Sequence, residues 1–282
     1  MVEEVLHHLR PRQGGRYVDG TLGDGGHTER ILMCHPSVEV LGLDRDPLSL
    51  AGARSRLGRF DQRLHTFLGN FSDIGAALTT CGWSRTDGIV LDLGVSSRQL
   101  DDPARGFSFR AAGPLDMRMT PDASRSAADV VATADERELA DIFRRYGEEP
   151  AARRIARAIV REREIAPITD TAALADLVAR SVPRRGTLHP ATRVFQALRI
   201  AVNDELGHLE RFLAQVLDWL APAGRLVVIA YHSLEDRLVK RAFQDRDRWE
   251  TLSKKPLVAT EEESAGNPRA RSAKLRAARR LP

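Results

Sequence analysis

A glycine-rich turn between a predicted strand and a predicted helix constrains the fold of this chain more than any other feature. The turn is the run from Asp19 to His27, which reads DGTLGDGGH. The residues Arg16–Asp19 are typical of a short buried strand, and the residues from Thr28 onward are typical of the start of a helix. Glycine permits sharp turns and a close approach of the backbone to a ligand. The turn therefore predicts a ligand-binding loop in an α/β fold.

An acidic residue at the end of the next predicted strand indicates which ligand binds. Asp44 ends the strand that begins at Val38 and follows the glycines by about 20 residues, the separation that brings a carboxylate to a ribose diol in a Rossmann-like half. A dinucleotide fingerprint needs a third glycine where this loop has Thr28, and the carboxylates of Asp19 and Asp24 would repel a pyrophosphate. S-adenosylmethionine is cationic, so the loop favours it. The alternative is a turn without a ligand, with Asp44 serving only as a helix cap.

The composition predicts a cytoplasmic protein with a substantial core. The chain has 282 residues, of which 42% are hydrophobic, enough for one large domain or two smaller ones. No run of 18 apolar residues and no secretory leader is present, so we expect a soluble, non-exported protein without membrane contact. The two cysteines, Cys34 and Cys81, lack the spacing of a zinc site or a disulfide framework, and we expect no metal.

Predicted strands and helices alternate along both ends of the chain, as in a parallel, doubly wound sheet. Between them lie a loop from Gly106 to Pro121 and several helical segments, which together carry many arginines and no lysine. A long helix predicted from His189 to Leu220 leads back to the sheet. We therefore predict an α/β domain formed by residues 1–101 and 196–282, interrupted by a helical substrate-binding domain at residues 102–195.

Two groups that could perform chemistry lie at the predicted carboxyl edge of the sheet, where open α/β sheets bind ligands. Asp92 ends a predicted strand, at the position from which methyltransferases that attack exocyclic amines hold the amine; the alternative is an ordinary strand end with a turn. Ser233 is the predicted N-cap of a later helix, and Asp236 lies in its first turn. Capping explains both residues, whereas His232 is a candidate to hydrogen-bond or carry a proton.

Two basic segments indicate a nucleic-acid partner. Phe107 and Phe109 lie among arginines in the predicted loop, a mixture that stacks on unpaired bases and holds phosphates. The alternative is that both rings anchor the loop to the core. The tail from Asn267 to Arg280 carries six basic side chains and no acid, which predicts phosphate binding through residues such as Arg276. A disordered, solubilising tail is the alternative.

Seven runs in order along nearly the whole chain resemble the family of ribosomal RNA small subunit methyltransferase H, the 16S rRNA cytosine-N4 methyltransferases. The runs are DGTLGDGGH at 19–27, DLGVSSRQLDDP at 92–103, RGFSFR at 105–110, PLDMRM at 114–119, PATRVFQALRIAVNDEL at 190–206, HSLEDR at 232–237 and NPRARSAKLR at 267–276. The resemblance implies a class I, Rossmann-like S-adenosylmethionine-dependent methyltransferase sheet with an inserted all-helical domain. It also implies methylation of N4 of cytidine 1402 in the decoding centre of 16S rRNA, within the small ribosomal subunit.

The resemblance also implies site residues. The cofactor residues that it implies are Gly25, Gly26, His27, Asp44, Phe71, Asp92 and Gln99. Of these, Asp44 would lie at the ribose, Phe71 near the adenine, and the last two near the methionine end. For catalysis we expect Asp92 to accept a hydrogen bond from the amine, and His232 or Asp236 to hold the ring or receive the proton.

The chain departs from the family pattern at three places. It lacks the short His-x-Pro-Val-like segment that usually precedes Glu-Val-Leu, Tyr231 replaces a usual phenylalanine, and the stretch from Asp245 to Asn267 is short. Both a monomer and a homodimer stay open. Two other functions also stay open: an NAD-dependent oxidoreductase, which an NAD titration would expose, and a non-catalytic RNA-binding assembly factor, which would bind subunits and leave no methyl group.

Overall fold

The protein divides into two compact units. The structure is a computed structural model that describes residues 1–120, 123–183 and 189–282. Met1–Gly94 and Leu206–Pro282 form one unit, here called the sheet unit, and Val95–Glu205 form the other, the helical unit. The helical unit begins earlier and ends later than the predicted insertion at 102–195, because Val95, Leu100 and Val202 pack against its core. Pro121, the predicted end of the loop, lies outside the described residues.

The elements are numbered along the described chain. The helices are α1 (Val2–Leu9), α2 (Gly26–Cys34), α3 (Pro47–Arg56), α4 (Ile74–Thr80), α5 (Ser97–Asp101), α6 (Ala127–Thr133), α7 (Glu136–Gly147), α8 (Ala152–Arg163), α9 (Thr171–Ser181), α10 (Ala191–Asn203), α11 (Glu205–Trp219), α12 (Ser233–Ala242) and α13 (Glu261–Gly266). The strands are β1 (Arg16–Asp19), β2 (Glu39–Asp44), β3 (Leu64–Leu68), β4 (Thr86–Asp92), β5 (Leu220–Ala230), β6 (Trp249–Thr251), β7 (Leu257–Val258) and β8 (Lys274–Arg280). None of these helices is both long and apolar enough to cross a membrane.

The sheet unit contains the doubly wound sheet that the strand and helix alternation predicts. Its strand order is β3-β2-β1-β4-β5-β8-β6, and β7 pairs with β8. The five strands from β3 to β5 are parallel, and β8 runs antiparallel to β5. Because the chain leaves β1 toward β2 on one side and returns to β4 on the other, the switch point of the sheet lies between β1 and β4. Asp19 and Asp92, the last residues of these two strands, therefore both end at the switch point.

Apolar side chains cover both faces of the sheet, as the continuous hydrophobic runs of its parallel strands require. Val18 and Ile89 on one face pack with residues of α4 and α11. Val90 and Val227 on the other face pack with residues of α1 and α2. The core thus fixes the carboxyl ends of the strands from both sides.

The helical unit has its own core, to which α6 through α10 contribute. α7 and α10 approach closely at Gly147, where an added Cβ would lie 2.5 Å from the carbonyl oxygen of Arg193. Phe107 is buried in this core, and the Phe109 ring packs at 4.8 Å on Phe195. Both rings therefore anchor the loop to the core, one of the two interpretations, compatible with each other, that the sequence left open.

The prediction of one long helix from His189 to Leu220 is wrong, because the structure has two helices there. α10 ends at Asn203, Asp204 adopts a left-handed conformation with φ 46°, and α11 begins at the next residue. The Asn203 side chain accepts a hydrogen bond from Met119 N at 2.9 Å and donates one to Met117 O at 2.8 Å. These bonds hold the helix end in place.

Candidate functional site

The glycine loop turns at two glycines with left-handed backbones. Gly23 has φ 51° and Gly25 has φ 78°, a conformation that costs other residues free energy. Gly25 is the N-cap of α2, and an added Cβ there would lie 2.6 Å from Leu57 Cδ1. At Gly26, the first residue of α2, an added Cβ would meet open space. The loop thus presents bare backbone and a helix N-terminus at the carboxyl edge of the sheet.

Asp44 fastens this loop to the end of β2. Its Oδ2 accepts a hydrogen bond from Gly23 N at 2.8 Å, and its Oδ1 accepts one from Asp46 N at 2.8 Å. Burial raises the pKa of Asp44 to about 6, although both backbone hydrogen bonds act to lower it. A polar ligand that donates hydrogen bonds to this carboxylate would favour its ionised form.

Asp19 is fully buried under the loop. Its Oδ2 accepts a hydrogen bond from the Thr28 hydroxyl at 2.8 Å, and its Oδ1 accepts one from Thr21 N at 3.2 Å. Burial raises the pKa of Asp19, against the opposing effects of His27 and of these bonds. Thr28, where a dinucleotide loop would have its third glycine, therefore has a role of its own as a partner for the buried acid.

Asp92 is held by a residue from the loop and a residue from β5's end. Its Oδ2 lies 3.4 Å from His27 Nε2, and its Oδ1 accepts a hydrogen bond from the Tyr231 hydroxyl at 2.9 Å. The Asp92 backbone N–H donates to the Thr21 hydroxyl at 2.7 Å. Two segments that are distant in sequence, the glycine loop and the residue after β5, thus fix the end of β4 and its carboxylate at the switch point of the sheet.

The two partners of Asp92 have shifted pKa values. Burial acts to lower the pKa of His27, but the hydrogen bond and charge of Asp92 outweigh it, with help from Asp19, so the net shift is upward. Burial raises the pKa of Tyr231 well above its usual value, and the charge of Asp92 adds to this effect. Tyr231 therefore stays protonated at physiological pH and donates to Asp92. The other ring nitrogen of His27, Nδ1, is buried without a partner among the described residues.

His232 is the N-cap of α12, so the prediction that Ser233 caps this helix is wrong. His232 Nδ1 accepts a hydrogen bond from Glu235 N at 3.4 Å, and Glu235 Oε2 accepts one from Tyr231 N at 2.8 Å. His232 Nε2 lies 3.1 Å from Glu235 Oε1 without forming a hydrogen bond. The sequence pattern missed Glu235, whose position three residues after the cap was the available signal.

Asp236 makes an ion pair with the last strand. It accepts hydrogen bonds from Arg276 Nε at 2.6 Å and from Arg276 NH2 at 3.2 Å, and Lys274 Nζ lies 3.9 Å away. Both Asp236 and Arg276 are largely buried, with 15% and 10% of their side chains exposed. The predicted basic tail is therefore in large part strand β8, and Arg276 is a buried structural residue rather than a free phosphate ligand. Arg269 and Arg271, which precede the strand, are exposed.

Phe71 lies after β3 in a small aromatic cluster. Its ring is 5.7 Å from the ring of Phe212 and 6.5 Å from that of His208, both nearly perpendicular. The Ser72 hydroxyl lies 2.8 Å from His208 Nδ1. Sequence reasoning missed His208, which comes from α11 and carries no local signal.

Gln99 belongs to the helical unit. Its side chain accepts a hydrogen bond from Ser96 N at 3.1 Å, and the Ser96 side chain accepts one from Gln99 N at 3.2 Å. This capping box fixes the start of α5, and Gln99 is buried. Of the predicted site residues, the sheet unit brings together His27 and Asp92 by direct contact and links Asp44 to the same glycine loop.

Comparisons with known proteins point to a methyltransferase. The model of the MraW methylase family matches residues 1–281. A ribosomal RNA small subunit methyltransferase H from Cyanothece sp. is 53% identical over 280 residues, which are 99% of this chain and 92% of the relative. One from Nitratidesulfovibrio vulgaris is 49% identical over 305 residues, covering 100% of this chain and 84% of the relative. Among solved structures, the N-methyltransferase NodS from Bradyrhizobium japonicum, in complex with S-adenosyl-L-homocysteine, aligns over 100% of this chain and 86% of its own, with a TM-score of 0.46 and 9% identity.

Proposed function

Because this chain belongs to the MraW methylase family and is an S-adenosylmethionine-dependent methyltransferase of small-subunit rRNA, we propose that its target is the N4 amine of a cytidine. The cytidine is position 1402 of 16S rRNA, in the decoding centre. The protein acts in the cytoplasm on this RNA within the small ribosomal subunit. The observation that carries the proposal is the Asp92 carboxylate, held at the sheet's switch point between His27 Nε2 and the Tyr231 hydroxyl.

The cofactor residues fit S-adenosylmethionine, which supplies a methyl group on a sulfonium. The glycines of the loop leave room at Gly26 for a ligand to approach the backbone. Asp44 offers a carboxylate to the ribose hydroxyls, and Phe71 offers an aromatic wall to the adenine. The unpartnered Nδ1 of buried His27 is available to a bound molecule.

The chain's contribution to catalysis is to align the amine. The lone pair of the cytosine amine is delocalised into the ring, so attack requires the amine to pyramidalise and to point along the bond that breaks. Asp92 accepts a hydrogen bond from the amine and fixes that direction, because its own position is set from both sides. Such positioning of two bound reactants lowers the barrier substantially. His232, at the N-cap of α12, holds the ring or receives the proton, and Asp236 supports this region through its ion pair.

The direct test is methyl transfer from labelled S-adenosylmethionine to small ribosomal subunits that lack the modification, followed by mass spectrometry of the nucleosides. We expect N4-methylcytidine at one position. A methyl group on C5 or on a ribose would overturn the N4 assignment. Tight cofactor binding with no methylated RNA would support the non-catalytic assembly factor instead.

The raised pKa of Asp44 predicts that S-adenosylmethionine binds less tightly in acid. The ribose hydroxyls donate to the ionised carboxylate, so the proton that Asp44 gains below about pH 6 competes with the ligand. We expect the dissociation constant, measured by calorimetry, to be about tenfold higher at pH 5 than at pH 8, the effect of one linked proton.

An Asp44→Asn variant is the control for this pH effect. It should bind the cofactor weakly at every pH, with a flat profile between pH 5 and pH 8. If the wild-type profile were flat as well, Asp44 would not bear the proton that is linked to cofactor binding. If the variant kept the wild-type slope, the linked proton would belong to another group, such as His27.

Replacing Tyr231 with phenylalanine should lower kcat about tenfold, the effect of losing one hydrogen bond to a charged group. The Phe ring keeps the packing, and only the donor to Asp92 Oδ1 disappears. Single-turnover kinetics should show the loss in the chemical step, with cofactor affinity unchanged. Tyr146→Phe, in the helical unit, is the matched control. Wild-type kcat in the Tyr231→Phe enzyme would show that His27 alone suffices to orient Asp92.

A further inference from the structure

Helix α8 carries an exposed row of arginines that the fold does not use. The helix contains five arginines and a single acid, Glu162. Arg153, Arg157 and Arg161 follow one another at four-residue intervals, so they lie on one face of the helix at steps of about 6 Å along its axis. All three are exposed, whereas Ile155 and its neighbours on the opposite face are buried in the helical unit's core. We call these three residues the α8 arginine row.

The row is unfavourable for the helix that carries it. Cations at four-residue intervals repel one another. Arg153 and Arg154 lie in the first turn, where the partial positive charge of the helix N-terminus disfavours further cations. That first turn contains no acidic residue; Glu149, before the helix, accepts a hydrogen bond from Ala151 N. Nothing in the folding of α8 explains why its exposed face is so basic.

Several other arginines of the helical unit have partners within the unit. Arg163, at the end of the same helix, donates to the carbonyls of Val131 and Ala134. Ion pairs within the unit join Arg125 to Glu138, Arg144 to Asp141, and Arg180 to Glu162. Within the row, Arg157 lies 3.4 Å from Glu136 in an exposed pair of the same kind, and such pairs have little energetic value. In the described part of the chain, no acidic side chain pairs with Arg153 or Arg161.

An exposed apolar residue follows the row in sequence, just beyond the end of α8. Ile165 follows Arg161 by four residues, and 83% of it is exposed, the highest fraction among the large hydrophobic residues that are exposed in the described chain. Surfaces that combine arginines with an apolar side chain suit nucleic acid, because the guanidinium groups contact phosphates while the apolar group contacts a base or sugar. An acidic protein partner would not require this regular spacing.

We propose that the α8 arginine row binds the phosphate backbone of the substrate rRNA. This inference rests on the proposed function, because it takes rRNA as the partner. It adds the surface that binds the rRNA. The long arginine side chains reach successive phosphates along one strand and form charge-assisted hydrogen bonds with them. The row supplies affinity and salt dependence rather than sequence specificity.

The test is the salt dependence of RNA binding by an Arg153→Gln/Arg157→Gln/Arg161→Gln variant. Binding to deproteinised 16S rRNA is measured over a range of salt concentrations, without cofactor. The slope of log Kd against log salt should fall by about 2 relative to the wild type, because each single-strand phosphate contact contributes about 0.7. In methyl transfer the KM for RNA should rise at least tenfold, while the kcat at saturation and the affinity for S-adenosylmethionine stay unchanged.

The matched control is Arg125→Gln/Arg144→Gln/Arg180→Gln, which removes the same charge from the same unit at positions that pair with acids. Its slope should stay close to that of the wild type. The proposal would be overturned if the slope fell equally in both variants, or if the row variant kept the wild-type slope. A loss of affinity that appeared only with intact subunits would also overturn it, because the partner of the row would then be a ribosomal protein. If the slope falls only in the row variant but the wild type forms no N4-methylcytidine, the row binds RNA and the proposed function is wrong.

Discussion

Replacing Asp92 with asparagine is expected to lower the rate of methyl transfer by two to three orders of magnitude. The amide keeps the shape of the side chain and can still accept from the Tyr231 hydroxyl, but it loses the charge and presents an NH2 group where His27 Nε2 now lies 3.4 Å from Oδ2. The amine of the substrate then has no anionic acceptor to fix its direction. Positioned acceptors of this kind contribute about 10²- to 10⁴-fold.

The rate should be measured in single turnovers with saturating RNA and cofactor, and cofactor affinity should change by less than about tenfold. Asp61→Asn, at an exposed aspartate that is not one of the site residues, is the matched control. Full turnover in the Asp92→Asn enzyme would remove Asp92 from the chemical step. A large loss of cofactor affinity with normal turnover at saturation would make it a binding residue only.

Replacing Asp236 with alanine should destabilise the sheet unit by about 3 kcal/mol, because it leaves the buried Arg276 guanidinium without its counter-charge. The ion pair joins α12 to β8, so its loss weakens the anchoring of that strand between β5 and β6. Urea denaturation followed by circular dichroism measures the change in the free energy of unfolding.

The double variant Asp236→Leu/Arg276→Met separates a structural role from a catalytic one. It replaces both charges with apolar groups of similar size, which often restores stability. We expect it to recover most of the lost stability and to methylate RNA within about tenfold of the wild type. A stable double variant without activity would show that Asp236 has a catalytic role.

The parts of the fold that the sequence predicts best are those with local causes. The sequence of Asp19–His27 predicts a turn because glycine tolerates positive φ, and the structure has positive φ at Gly23 and Gly25. The structure also confirms the strand before the turn and the helix after it. Asp44 ends its strand as predicted, and its contact with Gly23 N ties it to the glycine loop.

The parts that the sequence does not predict depend on distant partners. The break between α10 and α11 follows from hydrogen bonds that Asn203 makes with Met117 and Met119, more than 80 residues away. Helical periodicity continues across Asp204, so pattern analysis reads one helix. The basic composition of the final segment similarly hides a strand, because the partner of Arg276 on α12 is not visible from the tail.

The candidate site was predicted residue by residue but not as an arrangement. His27 and Asp92 were both expected to touch the cofactor, yet their contact with each other depends on the pairing of β1 with β4. In the sequence, Tyr231 is only a substitution for a usual phenylalanine. Its hydroxyl matters because β5 lies next to β4 and brings it within 2.9 Å of Asp92. Register between strands, rather than local composition, determines this geometry.

The division of the chain into two units also sets the order in which the units can fold during synthesis. The helical unit is continuous in sequence, from Val95 to Glu205, whereas the sheet unit needs residues from both sides of it. A ribosome completes the helical unit before it makes β5, the strand that β4 pairs with. The helical unit can therefore fold during translation while β4 still exposes an unpaired edge. The edge of β4 stays unpaired until β5 emerges, and truncations that end at Trp219, the last residue of α11, should aggregate.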